Sequence, residues 1–167
     1  MKQMPVILLV MFILTLVPCP ASAVKINTAA PDFTLKDITG SSIALSASRG
    51  KVVIINFWSV NCAPCVVELP SLSDLYNEMK GEGLVVLGVS LDHSEKSVTG
   101  LVRKLKISFP IMLDSKKDVY FDTYGLFGQP VSLVVDRSGI LKEKIVGAVE
   151  WTSPSMKAKI RSYLKGR

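Results

Sequence analysis

The sequence predicts an α/β fold in which a central mixed sheet is flanked by helices. Apolar runs of strand length alternate along the chain with amphipathic segments of helix length. The run from Val52 to Trp58 is largely apolar and β-branched, as expected for a strand buried on both faces of a sheet. Near the end of the chain, the turn Asp136-Arg-Ser-Gly139 joins two strand-like runs into a hairpin. The 167 residues, less an N-terminal segment unlike a folded domain, suit one domain.

Each element follows from the spacing of apolar residues and the turn residues between them. From Ala63 to Met79, apolar residues recur every three or four positions, which predicts an amphipathic helix. Pro64 falls in its first turn, where a missing N–H costs least, and Pro70 is expected to bend it. The expected elements are a strand pair near 32–45, a strand at 52–58, a helix at 63–79, a strand at 84–91, a helix near 95–106, a short strand at 110–113, a helical turn near 117–124, strands at 131–136 and 140–147, and a helix at 152–165. Four side chains around the helical turn are expected in the core: Val119, Tyr120, Tyr124 and Phe127.

The start of the chain is predicted to direct export. Lys2 precedes an apolar run from Val6 to Val17, and Ala21-Ser-Ala23 then matches a small-x-small cleavage site. A secretory signal cleaved after Ala23 is the leading interpretation.

Two alternatives for this segment stay open. Residues 4–23 are just long enough for an uncleaved membrane anchor, although they contain several prolines. A lipoprotein signal at Cys19 would want a small residue before the cysteine, where Pro18 stands. We therefore predict a signal peptide or membrane anchor at 1–23 and the folded domain at 24–167. Its expected location is the periplasm or the outer face of the cytoplasmic membrane.

The formal net charge of +6 does not indicate a nucleic-acid partner. Lys and Arg are spread through helix-like segments and alternate with Asp and Glu, whereas nucleic-acid binding needs positive charge on one face together with stacking aromatics. The densest basic group is the C-terminal tail, which fits a solvated helix face near an anionic membrane.

Cleavage after Ala23 leaves two cysteines, Cys62 and Cys65, in one Cys-x-x-Cys. Exported domains that need disulfides for stability scatter several cysteines through the chain, so a lone close pair indicates that the pair itself is functional. Structural zinc needs four ligands, and the mature chain offers His93 besides the pair. Covalent haem attachment needs His directly after the second cysteine, where Val66 stands. Thiol–disulfide exchange remains.

The two cysteines are expected to differ in reactivity. Cys62 lies at the turn from a buried strand into a helix, where unpaired N–H groups and the helix dipole stabilise an anion and lower the thiol pKa. Cys65 lies one helical turn further in and is expected to be less exposed. Cys62 is therefore assigned as the attacking thiol and Cys65 as the resolving thiol.

A family resemblance lies in the stretch Asn56 to Pro70, which is similar to the active-site block of the TlpA/ResA-like thioredoxin family of exported, membrane-associated thiol–disulfide oxidoreductases. Further agreement lies in Ala30–Leu35, which resembles an N-terminal β-hairpin, in Leu84–Asp92, a buried strand, and in Gln129–Gly139, a late strand opened by a cis-proline. The resemblance implies a thioredoxin-like fold with an N-terminal β-hairpin and a central helix–strand insert at 95–113.

The resemblance also implies roles near the cysteines. Ordinary thioredoxins carry a buried Asp where this chain has Asn56, which cannot titrate. In ResA-like proteins a Glu three residues after the second cysteine takes on an acid–base or potential-tuning role, and Glu68 occupies that position. The alternative is that Glu68 is an acid stabilised by the dipole of its helix.

By the same resemblance, Pro130 is a cis-proline beside the cysteine pair, and the backbone of Gln129 is free to pair with an incoming peptide. Without the resemblance, Pro130 would be a harmless strand-start proline. Trp58 is expected to pack over the cysteine site. Asn61 replaces an aromatic residue that the family often has before the first cysteine, so partner choice is expected to differ.

The implied activity is that of a protein-disulfide reductase acting on other exported proteins, for example the haem-attachment cysteines of apocytochrome c in cytochrome c maturation. A membrane electron-transfer partner of the CcdA/DsbD type would recharge it, and no cofactor is expected beyond the Cys62–Cys65 disulfide. A peroxidase is the second enzyme class, because Ala30–Leu35 also resembles the start of many peroxiredoxins, but these have Thr and Pro where Ser59 and Ile55 stand. An oxidising thioredoxin-like protein and a redox-silent binding domain are further alternatives.

Overall fold

A computed structural model describes residues 24–166. The predicted export segment, with Cys19 and the alternative anchor at 4–23, lies outside the described residues. The elements are β1 (Thr34–Lys36), β2 (Ser42–Ala44), β3 (Val52–Trp58), α1 (Ala63–Met79), β4 (Leu84–Ser90), α2 (Glu95–Lys104), β5 (Ile111–Leu113), β6 (Val131–Val135), β7 (Leu141–Val146) and α3 (Pro154–Lys165). Short 3₁₀ turns cover Leu45–Ser48 and Lys80–Glu82, and a π-helical turn covers Asp118–Thr123. In the described part of the chain, no helix is both long and apolar enough to cross a membrane.

The main sheet has the strand order β5-β4-β3-β6-β7, and β1 and β2 form a separate antiparallel hairpin. Strand β3 lies at its centre, parallel to β4 and antiparallel to β6, and all its residues are buried. Asn56 in β3 stands opposite Ser132 in β6, which places two polar side chains next to each other inside the sheet. The mixed sheet, the hairpin and the insert formed by α2 and β5 confirm the predicted thioredoxin-like architecture.

Alternation along β3 sends its side chains into two hydrophobic cores. On one face, Ile54 and Trp58 pack with apolar side chains of α1, α2 and α3. On the other face, Ile55 and Phe57 pack with residues of the N-terminal segment, the hairpin and the π-helical turn. Because α1 begins shortly after β3 ends, the cysteine pair lies beyond the C-terminal end of β3, and Cys65 belongs to the core on the α1 side of the sheet.

The expectation that Phe127 belongs to the core is wrong. Val119, Tyr120 and Tyr124 are buried as predicted, but Phe127 is 77% exposed. The helical spacing does not continue beyond the π-helical turn, since Gly125 and Gly128 adopt positive φ angles of 56° and 82°. These left-handed positions turn the chain outward and carry Phe127 to the surface.

Candidate active site

The cysteine pair caps the first turn of α1. Cys62 is the N-cap residue, its Sγ accepts a hydrogen bond from the backbone N–H of Cys65 at 3.3 Å, and Pro64 lies in the first turn. The two cysteines form a disulfide with an S–S distance of 2.06 Å. Cys62 is partly exposed and Cys65 is fully buried. A thiolate on Cys62 would therefore accept hydrogen bonds from N–H groups at the helix start and would be accessible from solvent. This is the environment of an attacking thiol.

A buried polar cluster lies on the next turn of α1. Asn56 Nδ2 donates to Glu68 Oε1 at 2.7 Å and to Ser132 Oγ at 2.9 Å. The backbone N–H of Val149, in the loop after β7, donates to Glu68 Oε2 at 3.1 Å. Glu68 is only 3% exposed. Two strands, a helix and a loop thus contribute to one buried hydrogen-bond network, and we call its four residues, Asn56, Glu68, Ser132 and Val149, the Glu68 cluster.

Burial raises the pKa of the Glu68 carboxyl above its ordinary value. The hydrogen bonds from Asn56 and Val149 oppose the rise because they stabilise the carboxylate. The indole N–H of Trp151 also faces the carboxyl group and favours its charged form, although Nε1 completes no hydrogen bond within residues 24–166. The balance keeps a proton on Glu68 at higher pH than on an exposed Glu. Since Glu68 follows Cys65 by three positions, both lie on the same buried face of α1.

The proline loop forms the other side of the site. The Gln129–Pro130 peptide bond is cis, as the resemblance implies, and Pro130 is buried. Ser59 Oγ donates to Gln129 Oε1 at 2.7 Å, which links this loop to the segment just before Cys62. The role of the Gln129 backbone toward a peptide stays a prediction.

Comparisons with known proteins place this geometry in a family. The AhpC/TSA family matches residues 26–144, which contain the cysteine pair. The thiol-disulfide oxidoreductase ResA of Geobacillus kaustophilus is 34% identical over 128 residues, covering 77% of this chain and 73% of that protein. ResA of Bacillus anthracis is 30% identical over 141 residues, covering 84% and 78%.

The chain belongs to the ResA-like thiol–disulfide oxidoreductases of the thioredoxin superfamily. Solved structures agree with this assignment. The thioredoxin domain of a thiol-disulfide oxidoreductase from Bacteroides vulgatus superposes with a TM-score of 0.75 at 26% identity, covering 86% of this chain and all of that one. A thioredoxin-family thiol:disulfide interchange protein from Chlorobium tepidum gives 0.74 at 25% identity, covering 85% and 99%.

The other predicted residues of this ResA-like site are distributed as follows. Trp58 is fully buried in the same core as Cys65, whereas Asn61 and His93 are exposed.

The neighbour of His93, Asp92, was not predicted from the sequence. Its Oδ2 accepts hydrogen bonds from the backbone N–H of Val60 at 2.9 Å and from Ser90 Oγ at 2.8 Å. Asp92 therefore positions the loop that leads into Cys62.

Ser132 and Val149, the remaining members of the Glu68 cluster, were also not predicted from the sequence. Ser132 carried a signal, since it is a hydroxyl inside the otherwise apolar run Val131–Val135, and a buried hydroxyl needs a partner. Val149 carried none, because it contributes a backbone N–H and any residue except proline supplies one.

Proposed function

We propose that this thiol–disulfide oxidoreductase is an exported reductant that transfers electrons from its dithiol to disulfides of other exported proteins. The observation that supports the proposal is the pairing of a partly exposed Cys62 at a helix start with a buried Cys65 that shares its helix face with the buried Glu68. A structural disulfide would need neither an exposed helix-start sulfur nor an adjacent buried acid.

The exchange takes two steps. The Cys62 thiolate of the reduced protein attacks one sulfur of a target disulfide, which forms a mixed disulfide and releases the other target sulfur as a thiolate. Cys65 then loses its proton and attacks Cys62 Sγ. The Cys62–Cys65 disulfide forms and the second target thiolate leaves, so two electrons have passed from the protein to its target.

Glu68 fits the proton transfer that the second step requires. Cys65 is fully buried, so its sulfur has no direct contact with bulk water. A carboxylate three positions along the same helix face accepts that proton, and burial, which raises the pKa of Glu68, makes it a stronger base than an exposed Glu. Hydrogen bonds from Asn56 and Val149 hold the carboxyl group in place.

The cellular setting belongs to the same proposal. The predicted export segment at 1–23 would place the domain in the periplasm or at the outer face of the cytoplasmic membrane. There we propose the haem-attachment cysteines of apocytochrome c as a substrate and a membrane electron carrier of the CcdA/DsbD type as the source of electrons. The proposal needs no cofactor besides the cysteine pair.

Trapping tests the proposed exchange. The Cys65→Ala variant retains the attacking thiol but cannot resolve the intermediate, so a peptide carrying an oxidised Cys-x-x-Cys-His should accumulate as a mixed disulfide on Cys62. A variant that also carries Cys62→Ala is the matched control and should trap nothing. Absence of a Cys62 adduct with the single variant would contradict the proposal.

The reduction potential tests the direction of electron flow. Equilibration with glutathione or dithiothreitol should give a value near that of thioredoxin, about −270 mV. A value close to that of the strong oxidant DsbA, about −120 mV, would instead establish the oxidising alternative.

A further inference from the structure

An exposed aromatic groove lies directly beside the proline loop. Phe127 is 77% exposed and Phe121 is 42% exposed, and their ring centroids are 5.7 Å apart. Exposed aromatic side chains that touch each other form a patch that water solvates poorly, and such patches mark binding surfaces. We call this feature the aromatic groove; its lining residues are Lys117, Tyr120, Phe121, Phe127, Gly128 and Gln129.

The groove is held in shape by the residues beneath it. The hydroxyl of buried Tyr120 donates to the carbonyl oxygen of Gly128, and its ring lies edge-on to Phe121 at 4.8 Å. The ammonium group of Lys117 lies 5.9 Å from the centre of the Phe121 ring. Phe127 is thus exposed on a loop that is anchored on its C-terminal side, so the groove exists before any partner binds.

Exposed apolar side chains concentrate at this end of the molecule. Between residues 24 and 166, five large hydrophobic side chains are exposed. Four of them flank the redox site: Phe121 and Phe127 on the proline-loop side, Val67 two residues after Cys65, and Val146 in register with the residue after Pro130. The fifth, Ile26, lies next to residues that bond to Leu141, at the opposite end of β6 and β7.

The backbone beside the groove favours a polypeptide as its occupant. In the part of the chain that the structure describes, neither the N–H nor the C=O of Gln129 has a backbone hydrogen-bond partner. Unpaired backbone groups next to a strand can bind an extended peptide. The peptide pairs with them through main-chain hydrogen bonds and places its side chains in adjacent pockets. A membrane surface cannot supply that main-chain pattern.

We propose that the aromatic groove binds a large apolar side chain of the substrate polypeptide, located a few residues from the cysteine that reacts with Cys62. This inference rests on the proposed function and adds a sequence preference to it. Gln129 lines the groove, and its side chain bonds to Ser59, three residues before Cys62. The groove and the disulfide are therefore adjacent, so one bound chain can contact both.

Two matched sets of peptides test the preference. Every peptide carries one cysteine as a mixed disulfide with glutathione. In the first set Phe lies two, three or four residues from that cysteine, and in the second set Ser replaces the Phe. The reduced full-length domain should react with the best Phe peptide about tenfold faster than with its Ser counterpart, because a filled apolar pocket discriminates by about that factor. Equal rates for both peptides would overturn the proposal.

Variants locate the effect in the groove. Phe127→Ser should reduce the ratio between the two peptide rates to about one. Ile26→Ser removes an exposed apolar side chain of the same class at the other end of the sheet and should keep the tenfold ratio. Since both residues are exposed, both variants should fold, which a thermal melt checks. Persistence of the full ratio in Phe127→Ser would also overturn the proposal.

Further measurements separate the other occupants and the proposed function. Equilibrium binding of unreactive peptides with Ser in place of Cys reports on the groove even if disulfide exchange fails, and it should be weaker for Phe127→Ser. If the parent protein does not exchange disulfides with glutathione disulfide, the proposed function is wrong, and the peptide-binding result still stands. Association with phosphatidylglycerol vesicles, or dimer formation, that Phe127→Ser abolishes while peptide selectivity is absent would assign the groove to a membrane or to a second copy.

Discussion

The two sides of the cysteine pair differ in the polarity and the solvent exposure of their side chains. On the α1 side, the Glu68 cluster is polar and buried, and its carboxyl group receives hydrogen bonds from a strand and a loop. On the proline-loop side, the aromatic groove is apolar and exposed. A buried polar group is costly unless it is paired, and an exposed apolar patch is unfavourable unless it is covered. Each side therefore departs from the usual distribution of residues in the manner expected for the role that we propose for it, proton transfer on one side and substrate binding on the other.

Removal of the attacking thiol should have the largest effect. Cys62→Ser should lower disulfide-exchange activity by about 10³-fold or more, as loss of an enzymatic nucleophile does. Cys65→Ser, which changes the buried partner, should still form mixed disulfides through Cys62. Reaction with a glutathione-linked peptide, followed by mass spectrometry, measures both. Adduct formation by Cys62→Ser and not by Cys65→Ser would reverse the assigned order of attack.

Loss of the acid on the α1 side should slow the resolving step, in which Cys65 attacks Cys62. Glu68→Gln keeps the shape of the side chain but cannot accept a proton, so the resolving step at about pH 7 should slow by about 10²-fold. Asp74→Asn, an exposed substitution in the same helix, is the control and should leave the rate unchanged. Stopped-flow measurement of Cys62–Cys65 closure distinguishes the two variants. An unaltered rate in Glu68→Gln would leave only the helix-dipole interpretation of this residue.

Asn56→Ala should destabilise the fold. The substitution removes the amide that donates to both Glu68 and Ser132 in a fully buried position, which should lower the free energy of unfolding by about 1–3 kcal/mol. Asn77→Ala, at an exposed position of α1, should have little effect. Urea denaturation of the two variants compares them directly, and equal midpoints would show that the cluster contributes nothing to stability.

The pH dependence of stability should change in Glu68→Gln. Burial raises the pKa of Glu68 above 4.5, so the folded protein binds this proton more tightly than the unfolded chain does. The cost of burying the charge is absent below the unfolded pKa and grows as pH rises toward the folded pKa. The free energy of unfolding of the variant, relative to the parent protein, should therefore increase with pH above about 4.5 in urea titrations. A pH-independent difference would be the contrary result.

Tyr120→Phe should produce the smallest effect and act on the proline-loop side. It removes the hydroxyl that holds the Gly128 carbonyl, so stability should fall by about 1 kcal/mol. The preference for Phe peptides should weaken, while the closure rate of the Cys62–Cys65 pair stays at the parent value. A change in closure rate without a change in peptide preference would contradict the division between the two sides.

The elements that carry the cysteines were predictable to the residue. Strand β3 is buried on both faces and therefore has a continuous apolar signal, and α1 repeats its apolar positions over more than four turns. The cis-proline and the candidate acid followed from the resemblance of their motifs to those of a known family. Local patterns thus predicted the fold class and the cysteine pair, and the family resemblance supplied the acid and the cis-proline.

The remaining site contacts join residues that are far apart in the chain. Ser132 bonds to Asn56 across 76 positions of sequence, and Val149 bonds to Glu68 across 81, and no local spacing encodes such contacts. Phe127 was misplaced for a different reason. An aromatic residue near a helical turn usually packs inside, but the two glycines around it change the direction of the backbone. Both failures concern long-range or conformational information that apolar periodicity does not contain.

The loop after β7 donates hydrogen bonds to both sides of the site. Gly147 N–H donates to the carbonyl oxygen of Pro130 at 2.9 Å, and Val149 N–H donates to Glu68 Oε2 at 3.1 Å. The stretch from residue 147 to residue 149 therefore spans the distance between the proline and the acid. Anyone transplanting this acid into another thioredoxin scaffold must graft the three-residue stretch 147–149 along with it, at its original length, because a one-residue insertion would leave the carboxylate or the proline without its backbone donor.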